Sequence, residues 1–94
     1  MSKSKVISVK RWGSRLNSKA SAQELRKQCE KMLSYDSVLK VNMAGVRDIT
    51  PGFAQECFGK LHLVANKRGA RIKFEHANKT IAPIILSGIK AELR

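Results

Sequence analysis

Hydrophobic and polar positions alternate in two different periods along the chain, and the switches between them divide it into elements. Residues Lys5 to Lys10 (K-V-I-S-V-K) are short and β-branched and run into Trp12-Gly13, which predicts a strand closed by a turn. After the polar stretch Ser14 to Ala20, Ser21-Ala22-Gln23-Glu24 has the form of a capping box, in which hydroxyl and carboxylate satisfy free N–H groups at a helix start. Leu25, Cys29, Met32 and Leu33 follow at helical spacing and give a first helix of about three turns.

Beyond the polar break Tyr35-Asp36-Ser37, the apolar residues Leu39, Val41 and Met43 alternate with Lys40 and Asn42, the mark of a half-buried strand. Ala44 to Ile49 read as its exit loop. Thr50-Pro51 opens a second helix, because Thr is a good N-cap and Pro fits the first helical position, where no N–H is needed. Phe53, Cys57, Leu61 and Val64, flanked by Ala54, Phe58 and Ala65, form its apolar face; Gln55, Gly59, His62 and Asn66 are expected opposite, and Gly69 is the stop. Arg71-Ile72-Lys73-Phe74-Glu75 alternates as a third strand. A last helix is expected from Thr80, with Pro83 in its first turn and Ile81, Ile84, Ile85, Ile89 and Leu93 on the buried face.

The order is therefore β-α-β-α-β-α, an α/β fold whose right-handed crossovers imply a mostly parallel sheet. A sheet covered on both faces reads as continuous apolar runs. Here Lys40, Asn42, Arg71, Lys73 and Glu75 punctuate the strands, so the helices are expected on one face, with the other open, polar and basic. At 94 residues the chain has room for a single domain over 1–94, with residues 1–4 expected to be disordered.

Charge adds a direction to this picture. Nineteen Lys and Arg against seven Asp and Glu leave a net charge of +12, a surplus that attracts polyanions at long range: nucleic acid, anionic lipid or an acidic protein. No apolar run approaches the ~20 residues that span a bilayer, and the N-terminus lacks the apolar core of a signal peptide, so a soluble, cytoplasmic protein without a membrane partner is expected. The two cysteines, Cys29 and Cys57, have no C-x-x-C spacing and read as reduced core thiols.

Constellations that would carry catalysis are missing. His62 and His76 have no Cys, Asp or Glu at metal-ligand spacing, so no metal is expected. Gly52 to Lys60 has six residues between its glycines where a P-loop has four, and Leu61 stands where Ser or Thr would meet magnesium. Neither an enzyme nor a cofactor is expected. The cations themselves are clustered: six of them and no acid lie between Met1 and Gln23, and Lys67, Arg68, Arg71 and Lys73 surround the turn into the third strand. Lys5, Lys10, Arg11, Lys40, Lys67, Arg68, Arg71 and Lys73 are the candidate anion or nucleic-acid contacts. Only Trp12 and Phe74 are near enough to stack bases, so contacts to phosphate are favoured over base reading.

Three segments carry a resemblance: Met43-Ala44-Gly45-Val46, Asp48-Ile49-Thr50-Pro51-Gly52-Phe53-Ala54 and Phe58-Gly59-Lys60-Leu61. With Gly13-Ser14-Arg15 after the first strand, in this order and spacing, they resemble the STAS-like domain family of small bacterial regulators, relatives of the anti-sigma-factor antagonists. Asn42 and Met43 replace an acidic and an aromatic residue of the family pattern, and Gly52 replaces a frequent Ser. In the antagonists the loop before the helix reads Asp-Ser-Ser-Gly, with its first Ser phosphorylated by a partner kinase; aligned by the helix start, that Ser falls on Thr50 and the next on Pro51. The resemblance implies a non-catalytic module whose partner is a histidine-kinase-like ATPase or a regulator of transcription. The candidate docking loop is Asp48, Ile49, Thr50, Pro51, Gly52 and Phe53, with Thr50 as the switch and Gly13, Ser14 and Arg15 shaping the turn after the first strand. Two readings of Thr50 stay open, a helix cap alone or a phospho-acceptor. A basic module that binds nucleic acid through the open sheet face and the N-terminal arm remains as the alternative function, and a homodimer is also left open.

Overall fold

The computed structural model describes residues 4–92. Its elements in chain order are β1 (Ser4–Ser8), a 3-10 turn (Val9–Trp12), β2 (Arg15–Leu16), α1 (Lys19–Met32), β3 (Val38–Asn42), β4 (Asp48–Ile49), α2 (Pro51–Ala54), a π-helical segment (Gln55–Gly59), α3 (Lys60–Lys67), β5 (Arg71–Glu75) and α4 (Ile81–Glu92). α2, the π segment and α3 follow one another without a break and form one long helix. Residues 1–3 of the expected disordered N-terminus lie outside the described residues, whereas Ser4 opens β1.

β1, β3 and β5 form a three-stranded parallel sheet in the order β1-β3-β5. Both crossovers step in the same direction across it, and right-handed connections then place both crossover helices on one face. The register explains the alternation in the sequence: Ile7, Val41 and Phe74 are neighbours on the covered face, and Val6, Lys40 and Lys73 on the other. Beneath the helices lies one core of Ile7, Val9, Leu39, Val41 and Met43 from the strands, Leu25 and Cys29 from α1, and Phe58, Leu61 and Ile85 from the later helices. The long helix runs through the middle of the helical layer, touching α1 on one side and α4 on the other. That position explains why Phe53, Ala54, Cys57, Phe58, Gly59, Leu61 and Ala65 are all buried, far more than one stripe. Phe58 stands edge-on to both Phe53 and Phe74, with centroids 6.2 and 5.1 Å away, and ties the helix to β5.

Several expectations change. Helix α1 starts earlier than the Ser21 capping box implies: Ser18 is the N-cap and its Oγ accepts from Ser21 N at 3.4 Å. Asn78 ties down the start of α4, its Oδ1 accepting from Thr80 N at 2.8 Å and Ile81 N at 2.9 Å, and the helix proper begins at Ile81. Leu93 lies outside the described residues. Gly59 is not on a polar face. It is buried under α4, where a Cβ would meet Gly88 O and Glu92 Cγ at 2.7 Å, while a Cβ on Gly88 would meet Ala54 C and Gln55 N at 2.7 Å. The two helices touch main chain to main chain, and only hydrogen fits at these positions.

Replacing Gly88 with Ala therefore lowers the unfolding free energy by about 1–3 kcal/mol, the usual cost of overpacking a filled site. Gly52→Ala is the contrast: nothing lies within 4 Å of its Cβ position, and the smaller freedom of the unfolded chain raises stability by about 0.4–1 kcal/mol. Urea unfolding of the two variants beside the wild type checks both signs.

Candidate functional site

Gly13, at φ +115°, turns the chain out of the 3-10 turn in a conformation that a side chain would strain, and its N–H donates to Lys10 O at 2.9 Å. Ser14 O then accepts from Arg47 N at 2.7 Å and Asp48 N at 3.2 Å. β2 and β4 lie parallel, with Arg15 opposite Asp48 and Leu16 opposite Ile49, and Thr50 N donates to Leu16 O at 3.0 Å. Two segments far apart in the sequence, Gly13-Ser14-Arg15 and the Asp48–Phe53 loop, thus form one structure. Leu16 and Ile49 anchor it in the core. The Arg15 Nε to Asp48 Oδ2 contact of 3.7 Å joins two largely exposed side chains and adds little to stability.

Thr50 is the N-cap of the long helix: its Oγ1 accepts from Phe53 N at 3.2 Å, its carbonyl accepts from Ala54 N at 3.0 Å, and Pro51 occupies the first helical position. Asp48, Thr50, Pro51 and Gly52 are exposed, whereas Ile49 and Phe53 are buried and hold the loop from below. Beside Thr50 lies a shallow depression of about 300 Å³ edged by Asn17, Lys19, Gly52, Phe53 and Glu56. Glu56 accepts from Lys60 Nζ at 2.9 Å and faces Arg26 Nη1 at 3.5 Å. The hydrogen bond from Lys60 holds its carboxyl below the ordinary range, with the charges of Lys60 and Arg26 acting in the same sense and partial burial opposing them. Chemically, the loop offers an exposed hydroxyl oxygen at the start of a long helix, with one carboxylate nearby already neutralised by cations.

A family model described as a STAS-like domain of unknown function matches residues 21–82, well over half of the chain. The chain belongs to the STAS-like domain family. Comparison with curated proteins and with solved structures gave no match. The matched residues of this STAS-like domain include the whole Asp48–Phe53 loop and the helix behind it, and end at Ala82 in the first turn of α4.

The candidate cations of the STAS-like domain do not form a single patch. Lys40, Arg71 and Lys73 share the uncovered face of the sheet. Lys5 is exposed on β1, Lys10 lies across Gly45, Arg11 sits 5.7 Å over the Trp12 ring, and Lys67 is exposed at the end of α3. Arg68 has a structural task that its position in a basic run conceals: its Nη1 donates to Glu30 O at 2.9 Å and Leu33 O at 3.0 Å, satisfying carbonyls at the end of α1. The β2 and β4 pairing was also not visible in the sequence, since two-residue strands are too short to show a period. Among the described residues, no group of three His, Cys, Asp or Glu is placed to hold a metal ion, and no helix is long and apolar enough to cross a membrane.

Both thiols are buried, and burial pushes Cys29 from an ordinary 9.0 up to about 12 and raises Cys57 as well. A raised pKa in the folded state means that stability is full below about pH 9 and falls as pH rises towards 12, where only the unfolded chain carries thiolates. Alkaline unfolding curves of Cys29→Ala, compared with the wild type, show a shallower loss across that window. At the helix start, Thr50→Ala costs about 1 kcal/mol of stability while Thr50→Ser keeps it, as read from urea midpoints.

Proposed function

We propose that this STAS-like domain is a non-catalytic regulatory module that docks onto a protein partner through the exposed side of the Asp48–Phe53 loop and the start of the helix behind it. Thr50 is the switch residue. The observation that carries the reading is the β2–β4 pairing: it fixes the loop by main-chain hydrogen bonds and leaves the Thr50 hydroxyl at the surface. A loop held in this way is presented to a partner without an ordering cost on binding.

A phosphate on Thr50 would lie at the positive end of a helix that continues to Lys67, where negative charge is stabilised by up to ~2 kcal/mol. Lys19 is the cation at the edge of the adjoining depression. The added charge of about −1.5 to −2 would change a loop surface on which Asp48 is the only acid. The resemblance to anti-sigma antagonists supports a histidine-kinase-like ATPase or a transcription regulator as the partner.

The test is affinity for the histidine-kinase-like ATPases encoded in the same genome, measured by calorimetry, together with mass spectrometry of the Thr50 peptide from native cells. Thr50→Glu is expected to weaken binding tenfold or more, and Thr50→Ser to leave it unchanged. Unchanged affinity in Thr50→Glu, with no phosphate on Thr50, removes the switch. Absence of any ATPase binding by the wild type removes that partner class.

A further inference from the structure

The uncovered face of the sheet brings three cations together. Lys40 and Lys73 are direct neighbours on adjacent strands, which puts their main chains about 4.8 Å apart, and Arg71 lies on the same face one repeat below Lys73, about 6.6 Å along the strand. The third member of the Lys40–Lys73 row is Val6, and Arg71 sits in a row with Val38 and Ser4. Among the described residues the ion pairs use Arg15, Arg26 and Lys60, so none of these three cations has a carboxylate within 4.0 Å. Glu75, the acid on this face, stands two residues beyond Lys73 beside Asn42. Like charges on directly opposed positions destabilise a sheet, and an anion that bridges them converts that cost into binding.

The face also shows which anion fits. None of the strand residues on this face is aromatic: Phe74 points to the other side, against Phe58 at 5.1 Å, Trp12 follows β1 with Arg11 over its ring, and the exposed Tyr35 precedes β3, so the strands themselves offer no ring for stacking bases. The strongly exposed apolar side chain on this face is Val6, at 58%, too little for the apolar centre of a protein interface or for insertion into lipid. A cationic surface whose strand positions carry no aromatic anchor matches a row of phosphates. We propose that the open face of the β1-β3-β5 sheet binds the phosphate backbone of a nucleic acid without reading its sequence, through Lys40, Arg71 and Lys73. The proposal does not depend on Thr50 or the docking loop, because none of the three cations belongs to that loop or edges the depression beside it.

The probe is a fluorescein-labelled DNA duplex of mixed sequence, followed by anisotropy with the full chain. Three phosphate contacts give a slope of log K on log salt of about −2.7, which is roughly a fortyfold loss of affinity between 50 and 200 mM salt. The variant Lys40→Gln/Arg71→Gln/Lys73→Gln is expected to bind at least tenfold more weakly at 50 mM and to lose most of that slope. A control with the same net charge, Lys27→Gln/Lys31→Gln/Lys90→Gln at exposed helix positions, is expected to bind within about threefold of the wild type. The face variant should melt no lower than the wild type, since it removes a repulsion; if it does melt lower, Arg71→Gln/Lys73→Gln at the two exposed positions carries the same comparison. No binding by the wild type at 50 mM overturns the proposal, as does an equal loss in the control. Binding of a polyglutamate peptide as tight as that of the duplex overturns the assignment to nucleic acid.

Discussion

Where α4 crosses the long helix, Gly88 lies directly on the main chain of Ala54 and Gln55, and Gly59 lies under the carbonyl of Gly88. The rest of the helical layer is arranged around this contact. Bringing the two axes so close lets Ile81 and Ile85 reach the common core, and it closes the side of the long helix that α1 does not cover. A helix enclosed by a sheet and two neighbours must be apolar nearly all round, which is why Cys57, Phe58 and Gly59 are buried in succession. The π segment falls at this crossing. Its wider turn accommodates the consecutive buried residues, and it lies within a few residues of the candidate switch.

The position of Thr50 follows from the same packing. The helix it caps is held by α4 and by the Phe53–Phe58–Phe74 edge-to-face series, while the chain before it is held by the pairing of β4 with β2. Ile49 and Phe53 are fixed in the core on either side of an exposed residue, so the hydroxyl of Thr50 has little freedom to move relative to the domain. The Lys40, Arg71 and Lys73 group is positioned by a different constraint, the shared direction of both crossovers, which leaves one face of the sheet without helices. An ordered loop with a single acid and a basic sheet face are therefore separate surfaces of this STAS-like domain.

Much of this was legible in the residues. The alternation of Leu39, Val41 and Met43 with Lys40 and Asn42 specified both a strand and its polar side, and Thr50-Pro51 marked a helix start in the place where it occurs. The start of α1 lies ahead of the Ser21 capping box, and that of α4 falls within a residue of Thr80, because Ser18, Ser21, Asn78 and Thr80 are all competent caps. The choice among them depends on where the preceding chain is pinned: Leu16 in the core before α1, and Asn78, which also donates to Val46 O at 3.2 Å, before α4. The burial of Gly59 under α4 leaves no mark in the sequence, because a glycine has no hydropathy to report. Arg68 looked like one more surface cation because a carbonyl acceptor 35 or 38 residues away leaves no mark in local spacing.

By itself, the sequence determined the period of each main segment, the alternating order of strands and helices, the polar side of the sheet and the residues of the Thr50 loop, because these are set by local backbone preference and by the partition of side chains between water and core. Tertiary structure decided which distant segments meet. The Gly13–Arg15 turn became the support of the Asp48–Phe53 loop, two glycines became a helix crossing, and only three of the eight candidate cations came together on one face. These are long-range contacts, made by main-chain groups and by space, and neither is encoded in the hydropathy of neighbouring residues.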